Sequence, residues 1–161
     1  MRSLGIVLVA ALGLAALAGA ARAFAQDATP VTEAGPVTLT VVERSINETI
    51  TDLGEPGTSA GDLIVWGPNP HFDAANAVDT GAVTQGSCQI LNAADDSLCI
   101  ETIVFPDGST LALQGVELGN LAQSTRTIVG GSGQYLGAVG TMLVEPTADR
   151  SLWTKTIEIW T

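Results

Sequence analysis

Positive charge is what this sequence has least of. Six Lys and Arg residues stand against seventeen Asp and Glu in 161 residues, a formal net charge of −11. Arg2 and Arg22 fall in the first 25 residues, so the remainder sets Arg44, Arg126, Arg150 and Lys155 against all seventeen acids. Nucleic-acid binders neutralise phosphates with Lys and Arg, and anionic membranes are likewise held by basic clusters. Nucleic acid is therefore excluded as a partner, and no membrane is expected once the leader described below is gone. Arg126 and Arg150 are expected in surface pairs with the abundant carboxylates.

Metal ligands and nucleophile partners are equally scarce. One histidine and two cysteines fall short of a structural zinc set, and Asp95-Asp96 lacks the D-x-D-x-D-G spacing of a calcium loop. No metal or other cofactor is expected, and Asp95-Asp96 reads as a solvated hairpin tip. A Ser-His-Asp arrangement would have to use His71, but no G-x-S-x-G elbow precedes a helix. Following Pro70, His71 is expected in a turn, exposed or capping.

What is present begins with a leader. Arg2 opens a basic region, Leu4 to Ala20 form an apolar run, and Ala23-Phe24-Ala25 offers a small-residue cleavage site. This pattern reads as a secretory signal peptide over 1–25; a retained anchor is the competing reading, with the run at the short edge of the roughly 20 residues a span needs. Export would place the chain in an extracellular or periplasmic compartment. An even number of cysteines there makes a Cys88–Cys99 disulfide the default. Residues 26–36, with two prolines and no periodicity, read as a mobile arm.

From Val37 to Thr161 the chain alternates with period two and shows no convincing helix. VTLTVVE, GDLIVWG, AVDTGAVTQGSCQIL, LCIETIVF, STLALQGVEL, TRTIVGG, QYLGAVGTMLVE and SLWTKTIEIW make eight strand segments separated by turn signals such as Pro106-Asp107-Gly108. Gly67-Pro68-Asn69-Pro70 reads as a proline-rich turn after the second. Eight short segments with short connections favour an antiparallel all-β barrel or sandwich in a single domain. In the first segment Val37, Leu39, Val41 and Glu43 share a face. A carboxylate among apolar neighbours needs a partner or a raised pKa; the alternative is a strand-end glutamate turned to solvent.

TIVGGSGQYLGAVGTMLVE, residues 127–145, carries five glycines in eleven positions. A phosphate loop needs Lys followed by Ser or Thr after its last glycine, and none is there. The spacing Gly131, Gly133, Gly137 also departs from G-x-G-x-x-G and runs into β-branched residues. Glycines inside strands mark bends, bulges or close approach.

The run from Ile128 to Gly140, together with Gly61-Asp62-Leu63, Thr84-Gln85-Gly86-Ser87-Cys88, Phe105-Pro106-Asp107-Gly108 and Leu113-Gln114-Gly115 in that order, resembles the allene oxide cyclase and dirigent-like barrels. The resemblance spans roughly 37–161. It implies a closed eight-stranded antiparallel barrel with an apolar cavity, commonly a homotrimer, that takes a small apolar molecule without a cofactor. Plant cyclases fold a fatty-acid epoxide; dirigent members steer radical coupling.

Carried over residue by residue, the resemblance makes Glu43 the polarising or proton-handling group, assisted by Asn69 or Ser45. Ser45 stands where the cyclases have an asparagine, unless a two-residue slip brings in Asn47. Val41, Ile64 and Trp66 are expected on the cavity wall. Cys88 matches a cavity cysteine but has Cys99 as partner, and Glu117 replaces a cavity tyrosine, so jasmonate-type chemistry is not expected. Asp73 and Asp79 fall near the region of the dirigent aspartates, where solvated loop acids are the simpler reading. Two functions follow: an exported cofactor-independent cyclase or isomerase, or a non-catalytic carrier, dirigent-like steering protein or structural trimer.

Overall fold

A computed structural model describes residues 35–160. The expected leader and nearly all of the expected arm lie outside them. Period-two burial recurs along the chain: in β5, Ser97, Cys99, Glu101 and Ile103 are buried while Leu98 and Ile100 between them are exposed, as side chains on alternate faces of a strand require.

Among the described residues nine strands form: β1 (Val37–Arg44), β2 (Glu48–Thr51), β3 (Leu63–Asp73), β4 (Asp79–Ile90), β5 (Ser97–Val104), β6 (Thr110–Glu117), β7 (Ser124–Ser132), β8 (Val139–Pro146) and β9 (Leu152–Trp160). Every pairing is antiparallel. The order runs β1-β9-β8-β7-β6-β5-β4-β3-β2, and β1 also pairs with β3. That last ladder closes β1 and β3–β9 into an eight-stranded barrel, the expected closed form rather than a sandwich. Closure leaves the ring without unpaired edges.

The ninth strand, β2, was not expected, and it explains the proline-rich run. β1 pairs with the second half of β3 (Glu43 opposite His71) and β2 with the first half (Glu48 opposite Trp66). The register of β3 slips between Trp66 and Asn69, where Pro68 has no N–H to give a ladder. Gly67-Pro68-Asn69-Pro70 is thus an irregularity within one long strand rather than a turn, and His71 follows it inside the sheet.

The interior has two zones. At one end Ile103, Leu111, Leu113, Met142 and Ile157, all fully buried, fill the barrel with Ile128, Val144 and Ile159. Each such side chain contributes roughly 1.5–3 kcal/mol of burial. The glycine-rich stretch caps this end. A register shift opposite Ala112 and Leu113 leaves Val129 as an extra residue in β7, and a 3-10 turn at Gly133–Tyr135 brings the Tyr135 ring to 4.6 Å from that of Phe105. Gly133 has φ +61 with Ser109 Oγ only 2.6 Å from where a Cβ would sit; at Gly140 (φ +150) Glu158 O would be 2.0 Å away. The glycines therefore shape the closed end. The other end is open.

Candidate functional site

At the open end a cavity of about 290 Å³ is bordered by Glu43 at the end of β1, Glu48 and Ile50 of β2, the connection 52–62, the first half of β3, and the adjoining ends of β4–β9. Its size is at the lower edge of the roughly 300–1,000 Å³ usual for ligand pockets. Ile64 and Trp66 line it, with Ile50, Ile90 and Trp153. Val41 is buried on the same face of β1 as Glu43 but lies deeper, away from the cavity wall. Trp66 has room because its cross-strand neighbour is Gly86, where a Cβ would meet Trp66 Cζ2 at 2.8 Å.

The floor is not the apolar surface that the resemblance implied. Glu43, Lys155, Glu101, Arg126 and Glu117 are linked in a row of alternating charge. Lys155 Nζ bonds Glu43 Oε2 and lies 2.6 Å from Glu101 Oε2; Arg126 Nη1 is 2.6 Å from Glu101 Oε1 and Nη2 is 2.5 Å from Glu117 Oε2. Glu43, Glu101, Arg126 and Lys155 are all buried. Isolated charges could not be held there, since desolvating each costs several kcal/mol unless a partner offsets it. Here each cation touches two carboxylates.

The electrostatics follow from that sharing. Burial alone would raise the Glu101 carboxyl, but Lys155 and Arg126 outweigh it and hold it below the ordinary value. Burial alone would lower Lys155, and Glu101 and Glu43 instead raise it. Arg126 is raised in the same way against its own desolvation. Glu117 goes the other way: burial pushes its carboxyl up despite Arg126 and Arg150.

Two expectations about single residues are overturned here. Arg126 is not a surface residue: it faces inward with Ser124 and Ile128 on β7, opposite Gly115, whose absent side chain leaves space for it. His71 is neither exposed nor a cap. It is 1% exposed, bonds Thr84 Oγ1 through Nε2, and stands 4.0 Å from Glu43 Oε2. Burial, then the charge of Lys155, lowers its pKa to about 3, so the ring is neutral at physiological pH. Arg150 does pair at the surface, with Asp95 at 2.7 Å.

Asn69 joins the floor to the backbone. Its Oδ1 accepts from the N–H groups of Ile46 and Asn47, both at 3.1 Å, where β1 gives way to β2, and its Nδ2 donates to Glu43 Oε1 at 2.8 Å. It fixes Glu43 in place. Ser45 is half-buried on the cavity wall, its N–H donating to Ser151 O at 3.0 Å. Cys88 and Cys99, directly opposite on β4 and β5, form the disulfide, and Cys88 borders the cavity. Asp73 and Asp79 lie at the opposite end of the barrel, where Asp73 accepts from the N–H groups of Ala77 and Val78.

Glu101 and Lys155 were not singled out from the sequence and Arg126 was assigned to the surface, although the signal that picked out Glu43 applied to all three. Glu101 alternates with Cys99 and Ile103, Lys155 with Ile157 and Ile159, and Arg126 with Ile128. Each shares a face with apolar residues that must turn inward.

No family profile matches this sequence, and no curated protein matches it. Solved structures do. The fold is similar to that of a pyocyanin demethylase (TM-score 0.64, 21% identity, covering 76% of this chain and 99% of that one). It is similar to the pterocarpan synthase dirigent protein PsPTS1 (TM-score 0.67, 14% identity, 80% and 96%) and to the Diels Alderase AbmU from Streptomyces koyangensis (TM-score 0.62, 23% identity, 78% and 69%). The chain shares the closed barrel of the dirigent proteins and of these cyclase barrels.

Proposed function

We propose that this protein is an exported small-molecule barrel that acts as a cofactor-independent cyclase or isomerase. The observation that carries the reading is a cavity walled in part by Ile50, Ile64, Trp66, Ile90 and Trp153 whose floor holds an ordered row of buried charges. The walls hold a flexible substrate so that its reacting ends meet, and well-aligned intramolecular reactions gain up to about 7–11 kcal/mol. The third Lys155 N–H, left over by Glu43 and Glu101, polarises a neutral substrate oxygen, while Glu43, set by Asn69, accepts a proton or faces positive charge that develops during ring closure. Ser45 adds a hydroxyl at the wall. Similarity to a Diels Alderase supports a ring-forming role, and the disulfide supports an oxidising compartment.

A second reading has an observation of its own. Both Glu43 oxygens are already engaged, one by Asn69 and one by Lys155, which leaves no idle base and suits a carrier or dirigent-like protein that only orients its ligand. Native mass spectrometry of the exported protein, followed by incubation of any recovered ligand with fresh protein, decides between them. Conversion that falls at least about a hundredfold in Glu43→Gln supports catalysis; return of the ligand unchanged supports the carrier. Under either reading, Val65, Leu98, Ile100 and Val116, exposed on the outside of β3, β5 and β6, are the face assigned to a homotrimer contact, and light scattering of Ile100→Glu tests it.

A further inference from the structure

Among the described residues, seven carboxylates and three basic side chains border the cavity. In the floor, Lys155 and Arg126 between them touch Glu43, Glu101 and Glu117, leaving one negative charge in surplus. At the mouth Arg150 is occupied by Asp95. The Asp62 carboxylate is taken up by the N–H groups of Leu53 and Ser59, each at 2.8 Å. Glu48 and Asp52, on and just beyond β2, have no basic partner among the described residues, Asp52 accepting from the Gly57 N–H at 3.0 Å.

The consequence is a one-sided selectivity. An incoming carboxylate or phosphate would find no idle cation among the described lining residues; to receive it, Lys155 or Arg126 would have to release a buried carboxylate into a cavity already carrying excess negative charge. A cation faces the reverse situation, because a cleft with a net excess of one sign concentrates the opposite sign. The walls add to this. Trp66 and Trp153 present indole surfaces that attract cations, and the Arg126 guanidinium lies 6.0 Å from the Trp66 ring centroid, at the outer limit of such a contact.

We infer that the cavity selects organic cations, protonated amines or N-alkylated aromatic bases, whose flat apolar body rests against the tryptophan walls and whose charge faces Glu48 and Asp52 at the mouth, and that it turns away carboxylates such as fatty acids. This rests on the small-molecule reading above and names the ligand class for the same cavity.

Calorimetric titration of the mature protein with three bicyclic probes of similar shape tests it: N-methylquinolinium, neutral quinoline and naphthalene-1-carboxylate, all at pH 7.5. The cation binds about tenfold or more tighter than quinoline, and the carboxylate about tenfold or more weaker. Glu48→Gln with Asp52→Asn lowers affinity for the cation about three- to tenfold and leaves quinoline unaffected. Naphthalene-1-carboxylate binding as well as the cation overturns the charge selectivity while the small-molecule reading stands. Unaltered cation binding in the double variant overturns the role of the mouth acids. No binding of any probe at millimolar concentration overturns both the selectivity and the reading on which it rests.

Discussion

Lys155 on β9 and Glu101 on β5 meet at 2.6 Å across the full width of the barrel. In the closed ring these strands are four positions apart in either direction, so the pair is a strut between opposite walls, and Arg126 and Glu43 brace its two ends. Removing one partner of a buried pair leaves the other charge uncompensated. Lys155→Met is expected to cost about 3–5 kcal/mol, read as a lower urea midpoint. A double-mutant cycle with Glu101→Gln should show coupling above about 1 kcal/mol; additivity within about 0.5 kcal/mol would mean the strut contributes nothing.

His71 sets a second expectation, in pH. Its folded-state pKa of about 3 lies below the ordinary 6.5, so as pH falls the unfolded chain takes up a proton that the native state refuses. The stability it confers is complete above pH 6.5 and is lost progressively between 6.5 and 3. From pH 7 to 4.5 this group alone removes about 2–3 kcal/mol. Glu101, held low, is lost below the ordinary carboxylate range; Glu117, held high, opposes both by favouring the folded state in acid. In His71→Gln the fall in stability between these two pH values should be smaller than in the wild type by about that amount, and equal slopes in urea titrations would show that the ring does not set the acid response.

The barrel was legible because its evidence is local and repeated: eight alternating segments and the Ile128–Gly140 run each point to the same fold. The floor was less so. Glu43 could be placed by alternation because β1 is regular, but β3 is not, and the slip beyond Trp66 turns Asn69 and His71 inward by a displacement that period two cannot anticipate. β2 was missed since all four of its residues are exposed, leaving no buried face to create a pattern. Arg126 was misread for a different reason: a lone cation in an acidic chain has many possible surface partners, and only the ring closure shows that Glu101 and Glu117 are the ones within reach.

The disulfide joins strands that are already paired on both sides of it, Ser87 with Ile100 and Gln89 with Leu98. Its loss should therefore lower stability without altering the fold. Cys88→Ser with Cys99→Ser is expected to cost about 2–3 kcal/mol, the loop-closure contribution of a short ring. The urea midpoint falls and the dependence on denaturant rises slightly as the unfolded chain is freed, while the far-ultraviolet spectrum stays as in the wild type. A changed spectrum would instead show that the bond is needed to set the β4–β5 register.

Gly86 tests how the cavity wall is built. A Cβ there would stand 2.4 Å from Ile100 O, 2.9 Å from Glu101 Cα and 2.8 Å from Trp66 Cζ2, so Gly86→Ala must move both β5 and the indole. The indole is the softer of the two, and its displacement runs into the cavity. The expected cost is about 1–3 kcal/mol of overpacking, with a shifted tryptophan emission and weakened binding of any cavity ligand. Gly130 is the matching control: a Cβ there meets nothing within 4 Å and its φ is not positive, so Gly130→Ala should remain within about 0.5 kcal/mol of the wild type. If Gly86→Ala binds ligand and emits as the wild type does, Trp66 is not held against that glycine and the wall is formed some other way.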